Sequence, residues 1–194
     1  ANADTISGKV VDSAGKAMEG VMISAFTVES KKRKSVSVFS QADGSFSIEG
    51  LLYKDYYKVR ARLMGQLDAV KRDVKAGDSD LSFSMKPATG EDLEDQRTAD
   101  SGFDMLKWTS KKDKENYKMM CSYCHQTGSK GWRSPELPVD WDTMIRRMDG
   151  FGGLYRHTQK TLVKRLVETY SEKAVAKWPA FVPPQAPRGL ETKA

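Results

Sequence analysis

Between Thr5 and Pro87 apolar and polar residues alternate with a period of two. The runs ISGKVVD, GVMISAFTV, KSVSVFSQ, GSFSIEG, YYKVRARLM and LSFSMKP each predict a strand that buries one face. Turn formers separate them: Asp12-Ser13-Ala14-Gly15, Ala42-Asp43-Gly44, Gly50, Gly65 and Gly77-Asp78. Asp43-Gly44 is the sharpest hairpin signal, because glycine accepts the positive φ such a turn requires. Short alternating strands with regular turns predict an antiparallel Greek-key β-sandwich over residues 1–87.

The period changes from about Lys111 onward. KDKENYKMMCSYCHQ predicts a helix that places Tyr117, Met120, Cys121 and Cys124 near one face. PVDWDTMIRRMDGFGG predicts an amphipathic helix with Asp140 as N-cap, Trp141, Met144, Ile145 and Met148 on one face, and Gly150 as its stop. HTQKTLVKRLVETYSEK predicts a last helix that buries Leu162, Val163, Leu166, Val167 and Tyr170. Residues 88–102 lack apolar periodicity and predict a linker, while Pro179, Pro183, Pro184 and Pro187 exclude a regular helix from the tail at 178–194. The expected organisation is multidomain: sandwich 1–87, linker 88–102, all-α domain 103–177, and tail.

Charge sharpens this division. Residues 1–87 hold 14 Lys/Arg against 11 Asp/Glu, 88–102 hold 1 against 5, and 103–194 hold 17 against 10, so the local balances are +3, −4 and +7. The basic excess therefore sits with the helices. It is scattered over polar helical positions, which disfavours nucleic acid and favours an acidic protein partner. KKRK at 31–34 reads as a solvated loop. No apolar run approaches the length of a membrane span, so no transmembrane segment is expected. The alanine-rich start resembles the product of signal-peptide cleavage, and a mature, exported, periplasmic protein is the expectation.

The first unit resembles the carboxypeptidase regulatory-like, transthyretin-related family of small β-sandwiches. Gly8, Asp12, Gly15, Gly20, Val21, Asp43, Gly44, Phe46, Tyr57 and Val59 carry the resemblance. It implies an accessory or docking module without chemistry of its own. Asp73, Asp78 and Asp80 lack the spacing of a calcium loop.

Both cysteines and one of the two histidines fall within MMCSYCHQTG, residues 119–128. Three chemistries suit Cys121-x-x-Cys124-His125. A structural zinc site normally takes four ligands, and here only distant His157 would be left to complete it. A redox disulfide belongs after a strand in an α/β unit, a pattern absent here. Covalent haem attachment uses every residue: two thioethers from Cys121 and Cys124, and His125 as proximal ligand.

Over residues 103–175 the chain resembles the c-type cytochromes. That resemblance implies one covalently bound haem c and a proline carbonyl, from Pro135 or Pro138, that orients the His125 imidazole. It also places Tyr117, Trp141 and Met144 around the group. Met148 is the expected sixth ligand, with His157 and Met144 as alternatives. The implied role is electron carrier rather than enzyme, with a periplasmic dehydrogenase or another cytochrome as partner through an acidic docking surface. An open-site haem protein that binds a gas or reduces peroxide is the alternative, and Arg146, Arg147 and His157 would then be the distal groups.

Overall fold

A computed structural model describes residues 5–28, 34–51, 56–133, 140–152 and 159–184. The chain divides at Leu93/Glu94 into two units, and Pro183 and Pro184 group with the first. Among the described residues no helix is long and apolar enough to cross a membrane.

The first unit holds β1 (Ile6–Val11), β2 (Met22–Thr27), β3 (Ser35–Phe39), β4 (Ser45–Ile48), β5 (Tyr56–Arg62), β6 (Ala69–Lys75) and β7 (Leu81–Ser84). They form two sheets, ordered β4-β1-β7 and β3-β2-β5-β6. The inward residues of the alternating runs make one core, including Ile6, Val10, Ile23, Val59, Phe46 and Phe83. Burial of such side chains is the main driving force for a sandwich.

The sandwich differs from its sequence-based expectation in three respects. β7 runs parallel to β1, with Gly8 opposite Leu81, so the fold is not antiparallel throughout. The Asp43-Gly44 turn closes locally through Gln41 and Ser45, yet it is no ladder hairpin, because β3 pairs with β2 and β4 with β1. β6 is a strand that the alternation does not predict. It lies at a sheet edge and buries only Val74, which leaves no period-two pattern to read.

The family glycines have separate physical reasons. A Cβ at Gly8 would strike the carbonyl of Leu81 on the adjoining strand. Gly44 takes φ +76° in its turn, which a side chain would strain.

The second unit is helical. Its elements are α1 (Gly90–Glu94), which straddles the boundary between units, α2 (Ala99–Phe103), α3 (Lys111–Cys121), a 3-10 turn at Lys130–Trp132, α4 (Trp141–Gly150), α5 (Gln159–Tyr170) and α6 (Glu172–Val175). The core gathers Phe103, Leu106, Tyr117, Trp141, Leu162, Leu166 and Tyr170, with Trp108, Cys121, Trp132, Ile145, Val163 and Trp178 at its margin.

Here too the outcome departs from expectation. Residues 88–102 are not a plain linker: they hold α1 and α2, and Arg97 and Gly102 are buried. Arg97 pairs with Glu94 at 2.9 Å, donates to the Pro179 carbonyl at 2.6 Å, and lies about 5 Å from the rings of Trp178 and Phe181. Those contacts clasp residues 178–181 onto the segment expected to be a linker. Burial opposes ionisation of Glu94, but the Phe181 N–H and the Arg97 guanidinium hold its carboxyl below the ordinary value.

α5 buries Leu162, Arg165, Leu166, Thr169 and Tyr170, whereas Val167 is exposed. The buried stripe is rotated from the expected one because Arg165 faces inward, toward Asp113 and Trp108.

Candidate haem-attachment site

α3 starts where the Ser110 side chain accepts the Asp113 N–H at 3.1 Å. That capping bond satisfies a helix-end donor. Asp113, Tyr117 and Cys121 follow at i, i+4 and i+8, on one stripe of the helix. Asp113 meets the buried Arg165 of α5 at 2.6 Å, and the Arg165 guanidinium lies 4.8 Å from the Trp108 ring centre. Tyr117 is fully buried between Phe103 and Trp108 and donates to the Thr127 hydroxyl at 3.4 Å.

The helix stops at Cys121. Ser122 caps it, with its N–H on the Lys118 carbonyl, and residues 122–124 form a turn. The expectation that one helical face carries both thiols is therefore corrected: Cys121 ends the helix half-buried at the core margin, while Cys124 and His125 stand exposed beyond it. Burial pushes the Cys121 thiol up to about 11, against a smaller opposite effect of the Tyr117 hydrogen bond. Both cysteines are free thiols.

The chain after His125 is fixed by a backbone crossing. The Thr127 N–H bonds the His125 carbonyl, and Gly128, at φ +89°, lies against α2. A Cβ on Gly128 would strike Phe103 N and Ala99 O, and one on Gly102 would strike the Gly128 carbonyl. Tyr170 of α5 donates to the Gly102 carbonyl at 3.1 Å, and burial holds its phenol above the ordinary range. Thus α2, α5 and the loop behind His125 meet at Gly102 and Gly128.

Tyr117, Cys121 and Trp141 are brought into one cluster, in which Trp141 stacks on Trp132 at 5.3 Å. Met144 and Met148 are half-buried on α4 and are not part of that cluster. Pro135, Pro138 and His157 lie outside the described residues. Among the described residues no three His, Cys, Asp or Glu side chains are placed to hold a metal ion.

Sequence reasoning missed Gly102, Thr127, Gly128, Arg97 and Arg165. A faint signal existed for Asp113, which shares the i, i+4 stripe with Tyr117 and Cys121. The crossing of two glycines distant in sequence left none.

Comparison with known proteins defines the first unit. Its two-sheet architecture is that of a small β-sandwich domain. Residues 5–86 match the carboxypeptidase regulatory-like domain, and the first unit is such a domain. No curated protein matches the chain.

Solved structures similar to it include a type II cohesin–X-dockerin complex mutant from Acetivibrio cellulolyticus. That likeness has 16% identity over 42% of this chain and 56% of the other, with a TM-score of 0.33. A 3-chlorocatechol 1,2-dioxygenase from Rhodococcus opacus is similar at 10% identity over 43% of this chain and 59% of that one, with a TM-score of 0.33. The dioxygenase domain of a carbohydrate-binding fusion from a Streptomyces species is similar at 19% identity over 43% of this chain and 79% of that one, with a TM-score of 0.32.

Proposed function

We propose that the helical unit carries one covalently bound haem c and relays single electrons in the periplasm, with the sandwich as its accessory module. The observation that carries this reading is Cys121-x-x-Cys124-His125 emerging, with both thiols free, from the end of a helix anchored in an aromatic core. A bare metal ion would need three or four such groups turned to one point, and among the described residues no three are. Two thiols that bond the periphery of a macrocycle and one imidazole on its iron need no such convergence, so the donor set fits the group.

Bound haem would supply the one-electron ferric/ferrous couple. The protein's part is positional. Cys121 and Cys124 would hold it as thioethers, and His125 would donate the proximal nitrogen. The Gly102–Gly128 crossing fixes the backbone behind that histidine. Met148 is the proposed sixth ligand, with Met144 and His157 as the other choices. Pro135 is the proposed acceptor from the His125 ring.

The proposed donor or acceptor is a dehydrogenase or a second cytochrome with an acidic surface, met in a brief encounter steered by charge. The gas- or peroxide-binding reading draws less support, because Arg146 is exposed and engaged by Asp142 at 2.7 Å.

Expression of the full chain with c-type haem maturation, followed by a denaturing gel stained for haem, tests attachment. Haem that stays with the wild-type chain and is lost from Cys121→Ala/Cys124→Ala is the expected result. A wild-type chain that holds no haem under these conditions rejects the proposal. In the loaded protein, Met148→Ala should abolish the weak near-infrared band of methionine-bound ferric haem. Retention of that band assigns the ligand elsewhere.

A further inference from the structure

The outer face of the β3-β2-β5-β6 sheet is basic in a regular way. Lys58, Arg60 and Arg62 occupy alternate positions of β5 and project from the side opposite the buried Tyr57, Val59 and Ala61. Alternate residues of a strand lie about 7 Å apart along the backbone, so the three basic side chains leave the strand in one row.

Phe26 of β2 sits beneath the row, with Lys58 Nζ at 5.2 Å and the Arg60 guanidinium at 5.1 Å from its ring centre. Asp68 is the acid beside the row. It binds Arg62 at 2.6 Å and reaches Arg60 only at 3.9 Å. Arg60 Nε is buried without a hydrogen-bond partner. Apolar groups flank the cations: Phe39 on β3 is 61% exposed and Val70 on β6 is 45% exposed.

We propose that this face docks an extended acidic segment of a partner protein, with carboxylates on alternate residues paired to Lys58 and Arg60, while Arg62 stays with Asp68. The matching period of two on both strands supplies the register. Arginine and aromatic groups interleaved on one surface form the composition that marks protein interfaces. Single-stranded nucleic acid is held by successive bases stacking on a series of rings; here Lys58 and Arg60 cover the Phe26 ring and Lys75 lies 5.3 Å from the Tyr56 ring centre, which leaves Phe39 for stacking on this face. The role of the face is independent of haem, so it stands or falls separately from electron transfer.

The test is fluorescence anisotropy of the full chain with a labelled peptide alternating glutamate and valine, over a salt series. Lys58→Glu/Arg60→Glu should weaken binding about tenfold or more, and Lys58→Gln/Arg60→Gln should weaken it by a smaller factor. The exposed α5 pair Lys160→Glu/Lys164→Glu should change it less than about twofold. The strand far-ultraviolet signal establishes that the β5 variants are folded, and tryptophan fluorescence that the α5 variant is. The Cys121→Ala/Cys124→Ala chain should bind as the wild type does.

Equal losses in the β5 and α5 variants overturn the proposal in favour of unspecific charge attraction. Absence of peptide binding overturns it as well. Tighter binding of heparin, single-stranded DNA or phosphatidylglycerol vesicles than of the peptide also overturns it, and identifies a general polyanion or lipid surface.

Discussion

The sandwich and the helical unit solve the same problem with different materials. The sandwich presses aliphatic side chains between two sheets whose backbone groups answer one another, so its core needs little polar help. The helical unit closes around a smaller set of mostly aromatic residues and places Arg97 and Arg165 inside. Each of those cations is paired with a carboxylate and lies over a ring. The first kind of core tolerates many apolar exchanges, whereas the second depends on particular partners, because a buried charge that loses its partner is costly.

The largest expected effects fall where backbones touch. Gly128→Val adds both a collision with α2 and a side chain at φ +89°, and should destabilise the helical unit by more than about 3 kcal/mol. All four tryptophans, at 108, 132, 141 and 178, lie in that unit, so their fluorescence in urea reports on it alone. Gly8→Val is the counterpart in the sandwich, where it should disrupt β1–β7 pairing by a comparable amount, read from strand circular dichroism. A Gly128→Val protein with an unchanged tryptophan midpoint would remove the crossing from the account.

Next in size is the Asp113–Arg165 pair. Asp113→Asn leaves the Arg165 cation, whose side chain is only 8% exposed, short of its charge partner, and should cost about 2–4 kcal/mol in the same urea assay. Asp113→Leu/Arg165→Met should recover most of that loss, because replacing both partners with apolar groups removes the buried charge along with its partner. If the single variant loses under about 0.5 kcal/mol, the contrast between the two kinds of core fails at its clearest point.

This contrast also explains what was legible in the chain. Period-two alternation exposed the strands whose inward face is apolar, such as β5 with Tyr57, Val59 and Ala61. It could not expose β6, where an edge position removes the need for burial on alternate residues. Nor could it reveal the parallel β1–β7 pairing, since strand direction is set by connections rather than by side chains.

In the helical unit α1 and α2 are too short to show a stripe, whereas α3, α4 and α5 were visible from their apolar stripes, α4 down to its Asp140 cap. The rotation of α5 was not, because an inward arginine looks polar until its distant partner is known. The Cys121-x-x-Cys124-His125 motif was legible because it lies within five residues. The crossing behind it depends on Gly102 and Gly128, which no local pattern connects.

The smallest expected effect compares one exposed aspartate from each unit. Asp43 is held below the ordinary value of 3.8 chiefly by the Ser45 hydroxyl at 2.6 Å, and then by the Ser45 N–H. Asp140 is lowered chiefly by the Thr143 hydroxyl, also at 2.6 Å, and then by the Thr143 N–H at the start of α4. A folded-state pKa below the unfolded one means that stability is fully present above the unfolded value and is lost as pH falls through the folded value. Both units should therefore weaken below about pH 4, each partly through its own aspartate. Asp140→Asn should flatten that acid dependence in tryptophan-detected unfolding while leaving the strand signal as it was, and Asp43→Asn should do the reverse. An acid limb unchanged by both substitutions would assign the pH dependence to other carboxylates and leave these two turns as local geometry, because the hydroxyl bonds would then favour the ionised form no more in the folded chain than in the unfolded one.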